Sequence, residues 1–144
     1  MKITVLSCGK VKEPFLSIAE EYFKRTQRFA NLEQLFYKEN ADYEEKVLAL
    51  KDKLKAELIL LDEKGWEPSS QDFANFLSKA EMGGKNLLFV LGCADGHTKA
   101  LREKADKLLS LSKLTFPHDF AAAIFAEALY RALSIKVGHP YHRK

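Results

Sequence analysis

Short apolar runs with strand character alternate with helix-length amphipathic segments along the whole chain. Residues 3–8 read as a first strand, 32–37 as a second, 57–61 as a third and 87–91 as the most deeply buried. Helical stretches fall at 14–29, at 43–54, from Ser69-Ser70 to the Gly83-Gly84 stop, and at 98–108. Phe15, Ile18, Ala19, Tyr22 and Phe23 share one side of the first of these. Serine at a helix start and glycine at its end are common punctuation. Strands separated by helices of this length pair most simply in parallel, and a parallel sheet needs cover on both faces. The expectation is one α/β domain over residues 1–144, with a mostly parallel sheet and helices on both faces.

In such sheets the ligand sits beyond the carboxyl ends of the strands. That gathers Ser7-Cys8-Gly9, Leu61-Asp62-Glu63, the loop from Gly92 to Gly96, and residues 112–118 around one candidate crevice. The Gly92 loop lets backbone approach a ligand closely, but it is neither GxGxxG nor GxxxxGK[ST], so no nucleotide fingerprint is present. Taken alone it is an ordinary turn between strand and helix. Residues 109–116 alternate apolar and polar, and two readings stand. The segment is an edge strand, or its free N–H and C=O groups hold a heterocycle such as adenine.

The last helix, 119–137, is apolar around most of its circumference, which calls for burial on more than one side. The sheet supplies one side and a second copy of the chain the other, so a homodimer is expected. Glu127 and Arg131 are spaced to pair on its surface. The chain then ends His139-Pro140-Tyr141-His142-Arg143-Lys144, with two imidazoles, a phenol, two fixed cations and no acid. Such a set offers proton-transfer groups, phosphate-binding cations and a stacking ring. The formal charge is only +3. Both ends are nevertheless basic, and they form one basic face if they meet in space.

No apolar run approaches the roughly 18–20 residues of a membrane span, and Met1-Lys2 leads straight into a strand, without a secretory leader. Cys8 and Cys93 lack the number and spacing of a disulfide framework or zinc site. They read as small buried thiols in a reducing cytoplasm. No GxSxG or HExxH occurs, so neither a hydrolase nor a metal enzyme is indicated.

Five stretches taken in order resemble one family: Gly9-Lys10-Val11-Lys12, the glycine loop, Leu111 through His118, Glu127-Ala128-Leu129-Tyr130-Arg131-Ala132, and the terminal His139 through Arg143. It is the SPOUT-class ribosomal RNA large subunit methyltransferase H family, which methylates N3 of a pseudouridine in 23S ribosomal RNA. The resemblance covers essentially the whole chain. It implies an α/β fold with a carboxyl-terminal trefoil knot, a homodimer, S-adenosylmethionine as cofactor and the ribosome as partner. By position, it assigns the cofactor to Leu61, Gly92, Cys93, Ser112, Lys113, Leu114, Thr115, Phe116 and Pro117. It assigns the chemistry to the tail. His139 or His142 is the base, Tyr141 stacks on or orients the acceptor, and Arg143 holds phosphate or an anionic base. His118 is a second choice of base, and His97 reads as a surface residue at a helix start. The chain departs from the family at Cys93, where a glycine is usual, and at Ala122, where an arginine is common. The alternatives are a ribosome-binding protein of the same fold without turnover, and a mononucleotide-binding α/β protein, which the missing phosphate loop disfavours.

Overall fold

The computed structural model describes residues 1–93 and 95–143, so Lys144 of the tail lies outside the described residues. In chain order the elements are β1 (Lys2–Cys8), α1 (Phe15–Thr26), β2 (Asn31–Tyr37), α2 (Tyr43–Leu54), β3 (Ala56–Trp66), α3 (Ser70–Met82), β4 (Asn86–Leu91), α4 (Lys99–Lys104), β5 (Lys107–Leu109) and α5 (His118–Lys136). The strands form one sheet in the order β2-β1-β4-β3-β5, and each pairing is parallel.

Successive side chains of a strand point to opposite faces, and both faces are covered here. Ile3, Val5, Ile59, Leu87 and Phe89 pack against Phe23 of α1, Leu77 of α3 and Phe125 of α5. Leu6, Leu58, Leu60, Leu88 and Val90 pack on the other face against Tyr43, Val47 and Leu50 of α2 and Leu101 of α4. Burying one such large side chain contributes about 1.5–3 kcal/mol. The Ser69 hydroxyl accepts from the Asp72 N–H at 3.0 Å and caps α3, an interaction worth about 1 kcal/mol. Among the described residues no helix is long and apolar enough to cross a membrane.

Three expectations change in ways that shape the crevice. β3 does not stop at Leu61. It continues to Trp66, and both Leu61 and Trp66 align with Leu109, so residues 62–65 bulge between them. A Cβ on Gly65 would stand 2.5 Å from the Leu108 backbone, which is why glycine ends the bulge. The helix expected over 98–108 is shorter, and the extended segment expected over 109–116 is strand only at its start. Residues 110–117 therefore reach α5 as irregular backbone.

The all-round apolar character of α5 also has another explanation. α1, α3 and β4 of the same chain pack against it, and Ala122, Phe125, Ala126, Leu129, Ala132 and Leu133 are buried there. Its circumference does not by itself call for a second copy. Ala122 is 1% exposed, so this position has no outlet to solvent for the arginine common in the family.

The reading of Cys8 and Cys93 as separate thiols is corrected. The two form a disulfide, with Cα atoms 5.0 Å apart across 85 residues of sequence. Neighbouring strands are the physical reason. β1 and β4 pair in parallel with Ser7 opposite Leu91, so the residues just beyond them meet. Glu39 brings a carboxylate oxygen to the same place, and the three ligand-type atoms lie within 4.8 Å of one another. The bonded sulfurs leave no thiolate for a metal.

Candidate cofactor cavity and carboxyl-terminal tail

A cavity of about 400 Å³ opens at the carboxyl ends of β3, β4 and β5. The β3 bulge contributes Leu61, Asp62, Glu63 and Lys64, the turn after β4 contributes Gly92, Cys93, Asp95, Gly96 and His97, and the segment before α5 contributes Leu111, Ser112, Leu114, Thr115 and Phe116. His118 and Ala121 close it from the first turn of α5. Thus Leu61, Gly92, Cys93, Ser112, Leu114, Thr115 and Phe116 come together as the sequence suggested. Lys113 is exposed and Pro117 is the residue before α5. Neither is among the lining residues, although both belong to the lining segment.

Serine and threonine side chains hold that segment in place of a strand ladder. Ser110 Oγ donates to the Ser112 carbonyl at 2.9 Å, Ser112 Oγ accepts from the Leu114 N–H at 3.0 Å, and the Ser110 N–H donates to the Trp66 carbonyl at 2.7 Å. The Thr115 hydroxyl donates to the Glu63 carboxylate, tying the segment to the bulge. Asp62 pairs with Arg102 at 3.6 Å. Only Leu109 of the expected edge strand is strand, in β5, and residues 110–117 run as irregular backbone beside the cavity.

His97 is not a surface residue. Its ring lies against Gly92, where a Cβ would stand 3.0 Å from it. The Nε2 atoms of His97 and His118 are both buried without a hydrogen-bond partner. Burial holds the His97 imidazole below its ordinary value, against the opposing pull of Asp62. Nothing in the sequence marked His97, because only the turn after β4 folds its ring back over Gly92.

The tail lies elsewhere. Gly138 takes φ 75°, the His139 N–H donates to the Ser134 carbonyl at 2.8 Å, and the chain folds back onto α1 and α5. Tyr141 donates to Glu127 at 2.7 Å and lies 3.4 Å from the Tyr22 hydroxyl. Its ring packs on Tyr130 at 4.7 Å, with the Arg131 guanidinium 4.9 Å from its centre. Burial, then the bonds to Tyr22 and Glu127, push the Tyr141 phenol up, so it stays a donor. Arg131 Nη1 donates to His142 Nδ1 at 3.1 Å, and the Tyr141 N–H donates to His139 Nδ1 at 3.2 Å. Arg143 is exposed. None of His139, Tyr141, His142 and Arg143 is among the cavity's lining residues.

The family model described as "Predicted SPOUT methyltransferase" matches residues 1–142. A protein of Koribacter versatilis named "Ribosomal RNA large subunit methyltransferase H" is 37% identical over 147 residues, covering 99% of this chain and 98% of that one. Its namesake in Deinococcus radiodurans is 39% identical over 148 residues, covering 99% of each. The chain belongs to the ribosomal RNA large subunit methyltransferase H family of SPOUT methyltransferases. A namesake in Thermus thermophilus is 34% identical over 144 residues and 99% of each chain. Among solved structures, the SpoU methyltransferase AviRb of Streptomyces viridochromogenes, in complex with AdoMet, superposes with a TM-score of 0.50 at 12% identity. The match covers 96% of this chain but 58% of that one, and it supports the SPOUT fold alone.

Proposed function

We propose that this SPOUT methyltransferase, as a single domain in a cytoplasmic homodimer, transfers a methyl group from S-adenosylmethionine to N3 of a pseudouridine in 23S ribosomal RNA on the assembled ribosome. The reading includes the trefoil knot, in which the segment bound to Trp66 at the end of β3 leads into α5. The observation that carries the proposal is the cavity at the strand ends, which combines irregular backbone with two unpartnered buried imidazole nitrogens. These features fit the cofactor. A cavity of about 400 Å³ is of ligand size, the groups of residues 111–116 suit a heterocycle, and Asp62 and Glu63 offer acidic oxygens to its cationic centres. Bound there, S-adenosylmethionine supplies an electrophilic methyl group on a sulfonium.

The chain supplies position, exclusion of water and charge. Leu61, Leu91, Leu109 and Phe116 give the cavity apolar walls, and alignment of two reactants in a dry site is a large part of such a displacement. The acceptor-handling tail belongs to a second copy. The cavity stands at the amino-terminal end of α5, whereas the tail leaves the other end and folds back only as far as Glu127, nine residues or about 14 Å of helix from His118 at 1.5 Å per residue. A dimer that sets two α5 helices side by side and antiparallel brings each tail to its twin's cavity. The need for two copies thus rests on the tail, not on the apolar girth of α5.

Each tail imidazole uses Nδ1 as an acceptor, which leaves a hydrogen on Nε2. We assign His139 and His142 to stabilising the deprotonated acceptor, together with Arg143, and its N3 proton leaves to solvent. Tyr141 is the latch that holds these groups. Arg25, whose guanidinium lies over the Tyr22 ring and pairs with Glu21, adds an amino-terminal cation near Tyr22. A splayed loop nucleotide suits such a site. The test compares the methylated nucleosides of 23S ribosomal RNA with and without the gene, alongside calorimetry with S-adenosylmethionine. Loss of one N3-methylated pseudouridine is expected. An unchanged RNA and no cofactor uptake would point instead to a binding protein without turnover.

A further inference from the structure

We propose that Cys8 and Cys93 form a thiol–disulfide site linked to cofactor occupancy, in which the bond pre-orders the loop that carries Gly92 and His97. The inference rests on reading the cavity as the S-adenosylmethionine site.

The placement of the two sulfurs is the first ground. Cys8 ends β1, and Cys93 lies two residues beyond β4 on the adjacent strand. Their Cα atoms are 5.0 Å apart, within the roughly 4.4–6.8 Å that a disulfide spans without backbone movement. The second ground is what Cys93 belongs to. It is half-buried and lines the cavity, whereas Cys8 is 4% exposed and lies outside it. The described residues between β4 and α4 have no regular structure, and the Gly96 N–H to Cys93 carbonyl bond at 2.8 Å closes a turn only within that loop. The sulfur of Cys93 ties the loop to β1.

The exchange balances simply. A thiolate of a small dithiol attacks Cys93 Sγ and breaks the Cys8–Cys93 bond, and Cys8 leaves as a thiolate that takes up a proton. The second thiol of the reductant then attacks its own sulfur in the mixed disulfide and releases Cys93. In total the protein gains two electrons and two protons, and the dithiol loses them as it becomes a cyclic disulfide. A low-molecular-weight disulfide runs the sequence in reverse. The Glu39 carboxylate lies close to both sulfurs. A neighbouring negative charge disfavours thiolates, which slows re-oxidation.

The cavity is open with the bond formed, so the bonded state already has the binding shape. Breaking the bond frees the loop, and the ordering cost then falls on cofactor binding. Linkage makes the effect mutual: a cofactor that prefers the bonded state resists its reduction by the same factor.

The test is calorimetry of S-adenosylmethionine with the full chain, in chelator to keep metals off the thiols. One sample is oxidised with glutathione disulfide and another reduced with dithiothreitol, and free thiols are counted in both. We expect none and two free thiols, respectively, and affinity about five- to thirtyfold weaker after reduction, the effect of one more backbone residue to order. Cys8→Ala, compared in dithiothreitol so that Cys93 stays a free thiol, is expected to bind with the same weaker affinity as the reduced wild type. Equal affinity in samples whose thiol counts differ overturns the linkage. Two free thiols that persist under glutathione disulfide overturn the site itself. Absence of binding in both states removes the cavity reading, and the linkage with it, while the thiol counts still decide whether the pair exchanges.

Discussion

Tyr141 donates its hydroxyl to Glu127 at 2.7 Å, and the same carboxylate holds Arg131 at 2.6 Å. One acid on α5 therefore fixes both the phenol and the guanidinium that orients His142. With the Ser134 carbonyl, Tyr22 and Tyr130, this carboxylate anchors the terminal residues.

Glu127→Ala is expected to release the tail while leaving the cavity untouched. Methylation should fall by about 10- to 100-fold in kcat/KM, the range that misplacement of reacting groups produces, with S-adenosylmethionine affinity unchanged by calorimetry. Glu127→Gln, which can still accept from Tyr141, should lose less. A matching loss of cofactor binding in Glu127→Ala would show that the acid supports the whole fold instead.

Tyr141→Ala and Arg143→Ala are expected to keep cofactor binding and lose methylation. If the tail serves its twin as proposed, a mixed dimer of Arg143→Ala with a variant disabled in the cavity should recover up to about a quarter to a half of wild-type activity, in proportion to the intact shared sites formed. No recovery on mixing would confine each site to one subunit.

The pH dependence of the rate separates the two roles open to the tail. If His139 and His142 only donate N–H bonds to the anionic acceptor, log kcat should climb steadily through pH 6–8 as the acceptor loses its proton. A plateau within that range that disappears in His139→Gln or His142→Gln would instead mark one of them as the general base.

His97 gives the fold a pH dependence of its own. Burial lowers its pKa from 6.5, so below that value the unfolded chain binds more protons than the folded one, and stability drops. The stabilisation is complete above pH 6.5 and is lost as pH falls from there through the folded value. Urea midpoints measured between pH 7.5 and 5 should decline in the wild type and decline less in His97→Leu. Parallel curves would locate the acid sensitivity elsewhere.

Gly65→Ala places a methyl group 2.5 Å from the Leu108 backbone. The bulge must shift away from β5, at about 1–3 kcal/mol, and the wall formed by Asp62 and Glu63 moves with it. A lower urea midpoint together with weaker cofactor binding is expected. An unchanged protein would mean that the bulge is free to move.

The parallel α/β architecture was legible because burial on both faces leaves continuous apolar strands such as 87–91, and amphipathic helices leave their own spacing. α2 matches its expected bounds, residues 43–54, because its apolar positions, with Val47 and Leu50 among the buried ones, recur at helical intervals. The cavity segments were legible as well, since loops after parallel strands must gather at one edge of the sheet. β3 was misread because Asp62-Glu63-Lys64-Gly65 has turn composition, and a bulge uses the same residues as a turn. α5 misled in a different way. Its composition records how much of it is buried but not which chain buries it.

What the sequence determined by itself was periodic or local: the order of strands and helices, the polar loops at the strand ends and the basic tail. Pairings between distant positions were decided only in three dimensions. Cys8 meets Cys93 because β1 and β4 are neighbours, His97 folds over Gly92, and the tail folds back to Glu127 without joining the lining of its own chain's cavity. Each follows from how the sheet and helices pack together, and periodicity along a chain carries no information about which strands become neighbours.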